Sequence, residues 1–324
     1  MVFAVRHTIL GLVLSISITM STDIEHENRH MYFAMYGSDL IGTETFTNLA
    51  LSTTPSQAVR NKEMNISSLL HVEFNFFNFT SHGLRDDWRE QWVETSNVAR
   101  ELLSNQSLIG FNLGDELVWN CINPEALTQC ADTIRQDFPK GTAYIWYNEA
   151  SAPVSSGMNS CDEKVNFSIP SSLDWFSVDI YHMDGKVIDW VHDHVESFYR
   201  EYIYPNLTDS QSVLVVPGAF GSDVNHYPNG TEICNRTCYD VMCAYDADQF
   251  YEWSQRDSRI AAIAPWNWDG CPSCNGSRFT PPHTCCMDEI GTRDQPLTRA
   301  AWSRIGKEII TGSSGSSRSR TSND

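Results

Sequence analysis

Positive charge is what this chain has least of. Its 324 residues hold 22 Lys and Arg against 41 Asp and Glu, a formal net charge of −19. No run of basic residues interrupts the part that reads as folded. Binding nucleic acid by neutralising phosphates needs the reverse balance, so that function class is set aside. Phosphate-cradling glycine loops are also missing. There is no GxGxxG after the first strand and no GxxxxGK[ST] anywhere, which disfavours nucleotide-dependent chemistry and leaves no cofactor to expect. Beyond the amino terminus no apolar run is long enough to cross a membrane. No internal repeat or linker divides the chain.

What is present begins with the look of a signal peptide over residues 1–22. Arg6 and His7 supply the charge, Thr8–Met20 the apolar run, and Ser-Thr-Asp the polar exit. Ten cysteines follow, seven of them between 234 and 286. In an oxidising compartment they read as disulfides stapling long loops. The rival is zinc held by Cys234, Cys238, Cys271, Cys274, Cys285 and Cys286. Eight N-x-Ser/Thr acceptor sites, at Asn65, Asn78, Asn105, Asn166, Asn206, Asn229, Asn235 and Asn275, add to the expectation of a secreted, lysosomal or otherwise luminal N-glycoprotein with no membrane contact after signal cleavage. A Gly/Ser-rich tail over 311–324 reads as disordered. Residues 23–310 remain as one domain.

Within that domain apolar strands alternate with amphipathic helices. The strands are expected at Met31–Asp39, Thr47–Ser52, Leu69–Phe77, Leu108–Leu117, Thr142–Ala150, Leu173–His182, Ser212–Gly218 and Arg259–Trp268. The main helices between and after them are expected at Ser56–Met64, Asp86–Ser104, Pro124–Phe138, Val187–Tyr202, Ala244–Arg256 and Leu297–Ile310. About eight such units predict a (β/α)8 barrel, an α/β fold whose function sits at the carboxyl ends of the strands.

Those strand ends are rich in acids, amides and rings. Strand three offers Glu73 and strand four Asn112, Asp115 and Glu116. Strand five offers Tyr147 and Glu149, strand six Asp179, Tyr181 and His182, and strand eight Trp266 and Trp268. Aromatic faces stack on pyranose rings and carboxylates bond hydroxyls, so the expected partner is carbohydrate. A carboxyl desolvated at a strand end has the raised pKa that a general acid needs. The blander reading of Asp115-Glu116 is a pair of acids that cap the next helix. Trp266 and Trp268 are expected to share one face by strand alternation. Asp179, His182 and Asp184 have no spacing that makes a closed metal set.

The pattern resembles the (β/α)8 glycoside hydrolases. The likeness implies Glu116 as general acid at the end of strand four and a tryptophan floor, Trp266 or Trp268, on strand eight. The Gly114-Asp115-Glu116 run is similar to that of the beta-hexosaminidases, which would make Asp115 the group that orients a substrate acetamide. Many retaining members carry a nucleophile at the end of strand seven. Here that strand ends in Val-Pro-Gly-Ala-Phe-Gly-Ser, with no carboxylate before Asp223. Asp179 or Glu149 would then be the second group, or the acetamide itself would attack with Asp115 and Tyr181 assisting. The remaining alternative is a secreted barrel that binds sugar without cleaving it.

Overall fold

The computed structural model describes residues 31–181, 189–222, 236–269 and 289–312. The expected signal peptide, His182, Asp184 and Asp223 lie outside them, as do Cys234, Cys271, Cys274, Cys285 and Cys286 and three acceptor asparagines, Asn229, Asn235 and Asn275.

Eight parallel strands form a nearly closed (β/α)8 barrel. They are β1 (Tyr32–Phe33), β2 (Leu49–Ser52), β3 (Ser67–His71), β4 (Gly110–Asp115), β5 (Tyr144–Ala150), β6 (Trp175–Asp179), β7 (Ser212–Val215) and β8 (Ile260–Ile263). From β2 to β8 each pairs with its neighbours in sequence, and β1 pairs with β8. The seam between β1 and β2 is closed by Asn48. Its amide N–H donates to Phe33 O (3.0 Å), its Oδ1 accepts from Phe33 N (2.7 Å), and its Nδ2 donates to Met31 O (3.0 Å).

Strand periodicity sorts the side chains. Along β5, Tyr144, Trp146 and Asn148 point into the barrel, while Ile145, Tyr147 and Glu149 point toward the helices. The interior is plugged from below. Tyr144 stacks on Trp175 at 4.4 Å with Tyr32 at 5.4 Å from the same indole. Above them lie Ala34, Leu69, Trp146, Leu214 and Ala262. This filling makes the barrel a packed core with one open end. Gly110 is required where β4 meets β5, because a Cβ there would sit 2.1 Å from Tyr144 O.

The helices are α1 (Pro55–Glu63), α2 (Trp88–Ser104), α3 (Pro124–Asp137), an irregular α4 over 191–206, α5 (Arg236–Arg256) and α6 (Pro296–Thr311). Thr54 and Gln57 form a capping box at α1, Asn123 caps α3, and Gly312 at φ 64° ends α6. α4 joins π-type turns at Val191–Val195 and Tyr199–Ile203 through Glu196–Phe198. α5 begins earlier than the expected Ala244.

Two expectations need correction. The third strand stops at His71, and Glu73–Phe76 forms a single helical turn. Val72 N still bonds Asn112 O, but the β4 ladder then shifts register and offers no further straight edge. The cysteines do not all pair. Cys121 bonds Cys161 and Cys238 is disulfide-bonded, whereas Cys130 and Cys243 are buried free thiols. Cys130 lies on the core face of α3 among Leu127, Ala131 and Ile134, where it packs as a small apolar residue.

Candidate active site

The open end is shaped by a bulge in β4. Asn112 pairs with Trp146, but Asp115 pairs with Asn148, so β4 holds one extra residue there. The bulge reverses the inward-outward alternation and turns Asp115 into the mouth beside Asn148. Gly114 permits it with φ 153°, and a Cβ there would meet Leu117 Cδ1 at 2.8 Å. Glu116 follows in the left-handed region at φ 49°, a conformation that costs an L residue about 1 kcal/mol. It is fixed by Glu116 N donating to Asn148 O (2.9 Å) and by Asn120 N donating to Glu116 O (2.8 Å).

Around this corner the polar side chains form one network. Asn148 Nδ2 donates to Asp115 Oδ1 (2.6 Å), and Ser177 Oγ donates to Asn148 Oδ1 (2.6 Å). Trp146 Nε1 donates to Ser177 Oγ (2.8 Å). On the other flank Asp115 N donates to Glu73 Oε2 (3.1 Å), and His71 Nε2 lies 3.3 Å from the same oxygen. Asn112 bridges His71 Nδ1 (3.2 Å) and Gly114 N (3.0 Å). Tyr36 packs edge-on to Trp266 at 4.5 Å, and burial, followed by the neighbouring carboxyls of Asp115, Asp179 and Glu73, holds its hydroxyl well above the usual phenol range. The last inward position past β7 is Gly218, and the Tyr181 ring lies against it, 3.1 Å from where its Cβ would be.

Glu73, Asp115, Glu116 and Asp179 thus share one mouth, with His71 beside them. Burial pushes the Glu116 carboxyl up to about 8, and the charges of Asp115 and Glu149 add to the shift. Burial also raises Asp115, to about 6, against the Asn148 hydrogen bond that stabilises its anion. Asp179 is held well above the usual carboxylate range by burial, then by the charges of Asp115 and Glu116, with hydrogen bonds from Asn148 and Tyr181 opposing. Its buried Oδ1 has no hydrogen-bond partner among the described residues. Burial thus lets Glu116 keep its proton to higher pH than Asp115. That division of labour is what acid-catalysed bond cleavage needs.

The expected site residues separate into two groups. Asp115, Glu116, Asp179, Tyr181 and Trp266 lie at the mouth, with Asn112 beneath them. Tyr147, Glu149 and Trp268 do not line it. Glu149 is fully buried and accepts from Val118 N (3.0 Å), Trp119 N (3.1 Å), Ala150 N (2.8 Å) and the Tyr147 hydroxyl. Burial raises its pKa to about 7 against those donors. Its task is to hold the loop after Glu116, which Cys121–Cys161 fastens further on. Trp268 is buried outside the barrel, 5.9 Å from Phe46. The two indoles do not share a face because regular pairing ends at Ile263, with only an isolated bridge from Gly218 to Trp266 beyond it. The sequence reading passed over His71 and Ser177 as site residues. Both fall on the inward parity of their strands, the signal that could have found them.

No protein-family model matches the chain, and no curated protein is similar to it in sequence. Solved structures match by fold. An apo β-glucuronidase from Ruminococcus gnavus superposes with TM-score 0.50 at 10% identity, over 85% of this chain and 50% of that one. A GH2 β-galacturonidase from Eisenbergiella tayi bound to galacturonate gives 0.50 at 11%, over 83% and 46%. The likeness is one of fold, a (β/α)8 barrel. A GH113 β-1,4-mannanase, matched at TM-score 0.49 and 14% identity, is covered over 99% of its length and 86% of this chain. The chain thus spans about half of the two uronidases.

Proposed function

We propose that the protein is a glycoside hydrolase that cleaves an O-glycosidic bond of an uncharged glycan, with Glu116 as general acid. One observation carries this reading: two adjacent carboxyls, Asp115 and Glu116, are turned into a buried mouth at the carboxyl end of β4 by the bulge there, and burial raises both, Glu116 to about 8 and Asp115 to about 6. Glu116 gives its proton to the leaving oxygen. The Asp115 anion stabilises the positive charge that develops on the sugar, or orients an acetamide where one is present. Asp179, at the end of β6, is the partner carboxyl. Its unsatisfied Oδ1 is suited to accept a hydroxyl from the sugar or from water, and such a bond would lower its pKa toward the anion that a base or nucleophile needs.

A second reading is a barrel that binds glycan without cleaving it. It is favoured by the end of β7, where Gly218 is covered by the Tyr181 ring and offers no carboxylate. Export through the secretory route is part of the proposal. It is supported by the disulfides and by the exposure of all five acceptor asparagines among the described residues, Asn65, Asn78, Asn105, Asn166 and Asn206.

Hydrolysis by wild type and Glu116→Gln, over a panel of neutral and N-acetylated glycosides, separates the readings. Turnover that falls by about two orders of magnitude or more in the variant supports the acid. Turnover confined to N-acetylated substrates points to acetamide participation. Equal glycan binding by both proteins without cleavage favours the binder. Cleavage that survives intact in Glu116→Gln would remove Glu116 from the mechanism.

A further inference from the structure

The segment Glu73–Phe79 (Glu-Phe-Asn-Phe-Phe-Asn-Phe) divides its rings between two environments. Phe76 and Phe77 are buried in the core, with Phe76 5.2 Å from Trp92. Phe74 is 66% exposed, the most exposed aromatic ring among the described residues. It does not stand alone. Its ring lies 5.7 Å from the His71 ring and 6.2 Å from that of Phe79. The three rings make a shelf that runs outward from the mouth.

The inner end of this shelf belongs to the site. His71 bonds Asn112 and meets Glu73, and Glu73 accepts the amide of Asp115, the residue before Glu116. The turn that exposes Phe74 is therefore tied to the corner that carries the proposed acid. The shelf continues the mouth on the β3–β4 side.

We propose that Phe74, with Phe79 behind it, is the platform for the sugar on the leaving-group side of the cleaved bond. The occupant is an uncharged pyranose ring, stacked by its apolar face. This inference rests on the hydrolase reading and adds the subsite to it. Phe74 has no group that gives or takes a proton, so its role is to bind and orient the departing half of the substrate.

The test compares two kinds of substrate. One is a short neutral oligosaccharide of the cello, manno, xylo or chito series, whichever the wild type cleaves. The other is the matching glycosyl fluoride, whose leaving atom offers no ring to stack. Phe74→Ala should raise KM for the oligosaccharide about three- to tenfold, the worth of one aromatic contact, and leave KM for the fluoride unchanged. Phe74→Trp should restore the wild-type KM. Equal KM for the oligosaccharide in wild type and Phe74→Ala would overturn the platform and leave the hydrolase reading standing. So would an equal rise for both substrates, or a change in oligomeric state on gel filtration in place of a change in KM. A wild type that neither cleaves nor binds any of these sugars overturns the hydrolase reading and the platform with it.

Discussion

The two ends of the barrel treat buried charge in opposite ways. At the amino end Asp174 meets Arg135, which also donates to Ser172 O (3.0 Å), Phe138 O (3.2 Å) and Ala143 O (3.2 Å), while Ile145 N donates to Asp174 (2.8 Å). The end of α3 and the starts of β5 and β6 are tied to the same guanidinium. At the carboxyl end Glu73, Asp115, Glu116 and Asp179 crowd together, and among the described residues no Lys or Arg forms an ion pair with any of them; only the His71 ring lies beside Glu73, at 3.3 Å. One end spends its charges on holding the strands together. The other accepts electrostatic cost, as a site built for chemistry does.

The sharpest way to break this contrast is at Glu116. Glu116→Gln should lower turnover by about 10²- to 10⁴-fold, while Tm stays level or rises because a crowded carboxyl has gone. A matching fall in Tm would mean that Glu116 is structural. Arg135→Ala probes the other end. It leaves Asp174 buried without its partner and should cost about 3 kcal/mol in urea unfolding, with KM unchanged in the folded fraction. A neutral result would show the amino end to be less tightly coupled than its contacts imply.

The pH dependence sharpens the comparison further. Glu116 and Asp115 hold their protons more tightly folded than unfolded, so their contribution is fully present below about pH 4 and is lost as pH rises through about 6 and then about 8. Tm should therefore fall by a few degrees, on the order of 2–6 °C, between pH 5 and pH 8. Glu116→Gln should flatten the upper part of that slope and Arg135→Ala should not. The smallest expected effect is in Asp115→Asn. Removing its charge lowers the Glu116 pKa, so the alkaline limb of the residual activity should move down by roughly one pH unit or less. A limb that stays in place would give the whole shift to burial.

Much of this was legible from patterns. Alternating strands and helices specified the barrel, and an acidic pair at the end of an apolar strand specified where to look. Parity was legible too, though easy to overlook: in Tyr144–Ala150 the residues that share a face with Ile145 are Tyr147 and Glu149, which puts them under the helices. The bulge in β4 was hidden. Asn112 and Gly114 have the inward parity, and nothing local announces that the strand gains a residue and delivers Asp115 instead. The splitting of Trp266 from Trp268 was hidden for a similar reason, since alternation lapses once the ladder ends. The turn at Glu73 depends on a bond to Asp115 N from 42 positions away, and contacts at that range leave no periodic trace.

The seam at Asn48 gives the ring a direction. Seven of its joints are ladders of main-chain bonds, and the eighth is a clasp made by one side chain together with its own amide. Asn48 O also accepts from Ser67 N (3.1 Å), so the residue joins β1 to the start of β3. A hoop with one buckle strains first at the buckle. Opening of the ring is therefore expected first between β1 and β2, three joints away from the β4–β5 ladder that holds Glu116.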